Sequence, residues 1–199
     1  MVLSNDNDLV FAKVRPDAII PTKEDENAGY DIYANFEEDY IIIPPNSTKL
    51  ISTGIASAVS EKYYLQVHER GSTGSKGMKY SAGVIDSSYR GEIFIALSNI
   101  NSVEVIISKL RKEELINKYA IRDKTNNDII LVYGNGLDYA YLFDSDNSGR
   151  EAIIYPYEKA IAQLVVHEVP KMNVQEISYE ELQKIPSKRG TGMLGSSGK

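Results

Sequence analysis

Ser81–Gly91, SAGVIDSSYRG, delivers one carboxylate, Asp86, from a small apolar run into a turn that carries Tyr89, Arg90 and Gly91. One acid by itself does not define a catalytic site, so its chemistry depends on what the rest of the chain brings to it. ERGSTGSKG, from Glu69 to Gly77, can bring a polyanion: its glycines permit backbone nests, and Arg70, Ser72, Ser75 and Lys76 supply donors and charge. It is not a P-loop, because the Gly-Lys-Ser/Thr spacing is absent. The competing reading is a polar surface turn with two solvated cations. RGTGMLGSSGK, from Arg189 to Lys199, divides in the same way. It is either a Gly/Ser-rich tail, which its composition favours, or a phosphate wrap in which serines and backbone N–H groups donate and Arg189 adds charge. In NAGYDIYA, Asp31 reads on its own as a strand-edge aspartate. Gln163 in KAIAQLVV needs a hydrogen-bond partner if its face is buried. His68 and His167 read as strand residues rather than ligands, and KLRKEE as a solvated face.

The elements that must position these groups are mostly short strands. Leu9–Arg15, Tyr40–Ile43, Tyr63–Glu69, Glu92–Asn99, Ser102–Ser108, Asp128–Tyr133 and Ala160–Val169 are rich in β-branched and aromatic residues. Gly, Pro, Asn and Asp separate them at regular intervals, which favours an all-β sandwich or barrel over alternating βα units. Helix is scarce: one short charged segment over Lys109–Ala120, and a turn over Ser178–Ile185 opened by a Ser178/Glu181 capping box. There is no internal repeat of fixed period.

Composition narrows the classes. A chain of 199 residues is long enough for one domain with a proper core. With no cysteine, disulfides, thiolate metal sites and a cysteine nucleophile are excluded. Two histidines argue against a histidine-built metal site. A net charge of −6 argues against stable nucleic-acid binding, though not against a small anionic ligand at a local cationic cluster. With no apolar run of spanning length and no signal-peptide pattern, the expected setting is cytoplasmic, with no membrane association.

Taken together and in order, AGYDIYA, RGSTGSKG, AGVIDSSYRGEI, KAIAQLVV and RGTGMLGSSGK resemble the five motifs of the trimeric dUTP diphosphatases (dUTPases), from Ala28 to Lys199. The third motif is the most specific of the five. The resemblance implies hydrolysis of dUTP to dUMP and pyrophosphate with Mg²⁺ on the triphosphate, which keeps uracil out of DNA and supplies dUMP. It makes Asp86 the base that orients and activates water. A lone carboxylate suffices there because phosphoryl transfer depends mainly on positioning and charge neutralisation. Tyr89 would lie on the deoxyribose and leave no room for a 2′-hydroxyl. Gly83, Val84 and Ile85 would read uracil through backbone groups. Asp31 would hold Mg²⁺ through water. Arg70, Gly71 or Ser72, and Gln163 would contact phosphate. Arg189, Leu194, Gly195, Ser196 and Ser197 would belong to a mobile arm that closes over the nucleotide.

The chain departs from the family pattern in three places. Gly71 and Ser72 follow Arg70 where Arg-Ser-Gly or Arg-Ser-Ser is commoner. Leu194 stands where a phenylalanine commonly stacks on uracil. The stretch 101–155 is longer than the family needs and resembles, in placement, the extra segment of some phage dUTPases. The fold implied is a distorted jelly-roll-like β-barrel over 1–188 with an insert near 101–155 and an arm over 189–199. It would assemble as a homotrimer with active sites at subunit interfaces. The alternative enzyme is dCTP deaminase, which shares the fold but normally has tryptophan at the Tyr89 position. The insert reads either as a rim decoration or as a docking surface for a protein partner.

Overall fold

The computed structural model describes residues 8–81, 83–110, 114, 120–121, 132–134, 137–143 and 149–192. Among them the strands run β1 (Leu9–Lys13), β2 (Gly29–Ile32), β3 (Tyr40–Ile43), β4 (Ser47–Ser52), β5 (Ile55–Val59) and β6 (Tyr63–His68). A helical turn α1 (Gly71–Gly74) follows, then β7 (Met78–Tyr80), β8 (Val84–Ile85), β9 (Phe94–Asn99), β10 (Glu104–Ser108) and β11 (Ala120–Ile121). The chain continues through β12 (Val132–Gly134), β13 (Leu137–Phe143), β14 (Gly149–Pro156), β15 (Ala162–Glu168) and the helix α2 (Tyr179–Lys184). No described helix is long and apolar enough to cross a membrane.

Alternation decides which face each strand buries. In β6, Leu65 and Val67 point into the core while Tyr64, Gln66 and His68 face outward; in β15, Ala162 and Leu164 go inward and Gln163 outward. These strands form an antiparallel sheet in the order β2-β15-β6-β8. A second sheet runs β11-β13-β14-β10-β3, with β12 on β13, and smaller sheets pair β1 with β5 and order β4-β9-β7. Where the sequence is continuously apolar, both faces are covered: Val105, Ile106 and Ile107 of β10 and Ala152, Ile153, Ile154 and Tyr155 of β14 are all buried. Val105, Ile107, Ile153 and Tyr155 join Ile32, Ile43, Ile55, Leu65, Met78, Ile95 and Leu97 in one core across the sheets. The result is the all-β architecture that strand spacing pointed to, in the jelly-roll-like form that the resemblance implied.

β10 and β14 pair in parallel. Parallel neighbours cannot be joined by a tight hairpin and need a long crossover, which residues 109–148 provide. The ends of the 101–155 stretch are thus barrel strands. Of the expected helix over 109–120, Glu114 is helical and Ala120 opens β11; the other residues from 111 to 119 lie outside those described, as do 128–131 of the strand expected at 128–133.

The chain divides into two compact units, 1–169 and 170–199. The second begins upstream of the 189–199 arm. Its α2 has the capping box read from sequence: Glu181 N–H donates to Ser178 Oγ at 3.2 Å, and Ser178 N–H donates to Glu181 Oε2 at 3.1 Å.

Candidate active site

The first cleft is built on one row across three strands. Asp31 on β2 lies opposite Gln163 on β15, which lies opposite His68 on β6. Arg70 follows β6 by two residues and turns back over this row. Its Nε donates to Asp31 Oδ1 at 2.8 Å and its Nη2 to Oδ2 at 3.0 Å, a two-pronged pair in which each carboxylate oxygen takes one N–H. Nη1 reaches Ser72 Oγ at 3.3 Å and the Ala160 carbonyl at 3.4 Å. Both charged side chains are about one-third exposed, at 30% and 32%, so the pair orients more than it stabilises.

Local sequence holds that geometry. Arg70 N–H donates to Thr73 Oγ1 at 3.1 Å, and the buried Thr73 hydroxyl lies 3.1 Å from Arg70 O, which locks the α1 turn. Gln163 Nε2 donates to Glu69 O at 2.8 Å, so the polar residue of β15 finds its partner in the loop rather than inside the core. Gly29 leaves the space that the Gln163 side chain fills, since a Cβ there would overlap it. Asn27, Ala28, Gly29, Gly71 and Ser72 complete a polar cleft of about 390 Å³.

The second cleft, of about 260 Å³, is lined by Val84, Ile85, Asp86, Tyr89 and Glu92–Phe94. β8 is only two residues long and Val84 is 64% exposed, so Asp86 does not end a buried strand as the apolar run suggested. β8 pairs with β6 along one side and is the last strand of its sheet. Its other side presents backbone groups to whatever lies beyond. After Asp86 the chain turns, Tyr89 N–H donating to Asp86 O at 3.0 Å. The Tyr89 hydroxyl donates to Glu92 O at 2.9 Å and folds the ring over Gly91, where a Cβ would stand 2.5 Å from the phenol oxygen. The Glu92 carboxylate in turn accepts from Gly54 N–H at 2.8 Å and from Ser52 Oγ, which ties the turn to the neighbouring loop.

The structure therefore brings Asp31, Arg70, Gly71, Ser72 and Gln163 together, and separately Val84, Ile85, Asp86 and Tyr89; the two clefts share no lining residue among those described. Gly83 O accepts from Val67 N–H at 2.8 Å, beside β6. Arg189 lies in the second unit, and Leu194, Gly195, Ser196 and Ser197 lie outside the described residues. Lys76 corrects the expectation of a solvated cation: it is 7% exposed, with its ammonium 5.3 Å from the centre of the Tyr155 ring. The sequence reading also missed two tyrosines beneath the first cleft, Tyr80 and Tyr155. Burial pushes both hydroxyls up from the ordinary tyrosine range, against the hydrogen bond with Thr73 for Tyr80 and the charge of Arg70 for Tyr155. Both therefore stay protonated donors at neutral pH.

Among the described residues no three His, Cys, Asp or Glu side chains cluster to hold a metal. Asp31, one-third exposed in a polar cleft, offers a single carboxylate. That donor set suits a cation that keeps several waters and takes the rest of its oxygens from a phosphate ligand, as Mg²⁺ does.

An all-β, jelly-roll-like barrel with an acid–tyrosine turn in one cleft and an arginine–carboxylate row in another defines the class of protein. A dUTPase family model matches residues 16–112, the span that holds Asp31, Arg70, Asp86 and Tyr89. The deoxyuridine 5′-triphosphate nucleotidohydrolase of Nautilia profundicola is 35% identical over 128 residues, 62% of this chain and 86% of that one. Its counterpart in Hydrogenobaculum sp. is 39% identical over 105 residues, 51% of this chain and 72% of that protein. The Staphylococcus bacteriophage 80alpha dUTPase with dUPNHPP shares the fold at a TM-score of 0.65 and 22% identity, covering 97% of this chain and 99% of that one. The chain belongs to the dUTPase family.

Proposed function

We propose that this chain hydrolyses dUTP to dUMP and pyrophosphate at sites completed between copies of itself. The observation that carries the reading is the division into two clefts. The Asp86 cleft has an acid and an aromatic ring but no cation among its lining residues, so it cannot by itself neutralise a triphosphate. The Asp31–Arg70 cleft has the cation and hydrogen-bond donors but no acid free of a charged partner. Joined across a subunit interface in a homotrimer, they complement each other.

In that joint site Asp86 takes the proton of the attacking water. Tyr89, held by Glu92 O, lies on the deoxyribose. Uracil pairs with those backbone groups of Gly83, Val84 and Ile85 that β6 leaves open, the Gly83 carbonyl being taken by Val67 N–H, and a base with the wrong donor pattern would leave those groups unpaired. Arg70, Ser72 and Gln163 contact phosphate; Ser72 fills the serine role that Gly71 cannot, because it already orients the Arg70 guanidinium. Asp31 would hold Mg²⁺ through water, and the ion would supply charge neutralisation on the triphosphate. Arg189 with Leu194, Gly195, Ser196 and Ser197 closes over the nucleotide, and the setting is cytoplasmic.

The test is pyrophosphate release with Mg²⁺ from dUTP, dCTP, dTTP and UTP. Strong preference for dUTP is expected. Comparable turnover of UTP would remove the sugar-selecting role of Tyr89, and ammonia release from dCTP would favour the deaminase.

A further inference from the structure

Tyr155 ends the buried run of β14 and is fully buried, at 0% exposure. A buried phenol needs a hydrogen-bond partner, and here the hydroxyl donates to the Ala160 carbonyl at 2.7 Å. The same oxygen receives Arg70 Nη1 at 3.4 Å. A carbonyl has two lone pairs; with Tyr155 on one, the other faces the guanidinium. The next carbonyl, Ile161, is held likewise by the Tyr80 hydroxyl, and Ile161 N–H donates to Ile32 O at 2.9 Å. Ala160 and Ile161 lead into β15, so this short run is pinned from both sides just before Gln163. On its opposite flank the Tyr155 ring packs beneath the Lys76 ammonium.

From this arrangement we infer that Tyr155 is a positioning residue: through the Ala160 carbonyl it sets the direction of the Arg70 guanidinium, and so the geometry that meets phosphate. Arg70 already spends Nε and Nη2 on Asp31. Rotation of that fork about the carboxylate is limited by what Nη1 meets, namely Ser72 Oγ and Ala160 O. Ser72 is exposed, whereas Ala160 is buried and its carbonyl is held by a core side chain. The fixed reference for Arg70 is therefore Tyr155. β14 is hydrogen-bonded to β10 on one side and to β13 on the other, so Tyr155 also ties the strand that returns from the 109–148 excursion to the phosphate cleft.

The inference rests on the reading that this cleft takes the phosphates of dUTP. The experiment is a double-mutant cycle on the full chain with Mg²⁺, using Tyr155→Phe, Arg70→Lys and both together. Tyr155→Phe keeps the ring and its packing and removes only the hydroxyl. We expect KM for dUTP to rise about three- to tenfold, the scale of one lost hydrogen bond, with kcat within about twofold. Arg70→Lys keeps the charge but loses the fork, so adding Tyr155→Phe to it should leave KM unchanged. Where the Arg70→Lys protein turns over too slowly, calorimetric binding of dUpNHpp closes the same cycle. An unchanged KM in Tyr155→Phe, or the same factor in both Arg70 backgrounds, would mean that Tyr155 acts by packing alone and would overturn the inference. A wild-type protein without dUTP turnover would instead break the underlying reading, and this inference with it.

Discussion

The Asp31–Arg70 cleft and the Asp86–Tyr89 cleft belong to the same barrel but are held in different ways. The first is a row across three neighbouring strands: Asp31, Gln163 and His68 stand opposite one another, and Arg70 is gripped by a carboxylate, a hydroxyl and a carbonyl. The second hangs on a two-residue edge strand and a turn, with Tyr89 46% exposed and held by one carbonyl. The first has the donors to bind a polyanion and no acid free of a charged partner. The second has an acid and a ring and nothing in its lining to neutralise charge. Cation and donors gather on paired strands, and the acid and the ring on a two-residue strand and the turn after it.

That contrast is sharpened by removing one function at a time. Asp86→Asn keeps shape and hydrogen bonding but removes the base, so kcat should fall by roughly 10²–10⁴ while nucleotide binding by calorimetry and the melting temperature stay near wild type. Near-normal kcat would make Asp86 a structural residue. Arg70→Ala removes the cation and leaves Asp31 without its partner. Here kcat/KM should fall by roughly 10- to 100-fold, the scale of charge-assisted hydrogen bonds to phosphate, with most of the loss in KM. A loss confined to kcat would place Arg70 at the reacting bond instead. The smallest effect belongs to Gly91→Ala. The added methyl must displace the Tyr89 ring, so preference for dUTP over UTP should drop by about tenfold with dUTP turnover less affected. Unchanged selectivity in the nucleotide panel would show that Tyr89 is not the sugar gauge.

Much of this was readable from the sequence, because two kinds of signal were strong. Period-two alternation in Tyr63–His68 and Ala162–Glu168 places Gln163 and His68 on one face, and the continuous apolar run at Val105–Ile107 marks a strand covered on both sides; the strand through Ala152–Tyr155 was not among those expected. The Ser178/Glu181 capping box gives the start of α2 because it is purely local. The short strands β2, β4, β5 and β7 carry weaker patterns and take their register from partners distant in the chain. Lys76 misled for the same reason. In GSTGSKG it has the look of a surface cation, and only the arrival of Tyr155 from β14, far along the chain, covers it. Tyr155 itself looks like the polar end of an apolar run, since no local pattern can show which carbonyl its hydroxyl will find. Asp86 and Tyr89 were visible as a motif, but their separation from Arg70 into another cleft is a property of topology.

The central claim is that Asp86 and Arg70 act in one site from different copies of the chain, and subunit mixing tests it most directly. Asp86→Asn and Arg70→Ala proteins, each retaining at most about a tenth of wild-type turnover at dUTP concentrations well below KM, are unfolded, mixed in equal amounts and refolded together, and assayed at those concentrations. If each site takes Asp86 from one subunit and Arg70 from another, random reassembly gives an intact site about one time in four, so about a quarter of wild-type dUTP turnover should return. If both residues must come from the same chain, no subunit in the mixture carries the pair. Turnover that stayed at the level of the two parents would then contradict the account.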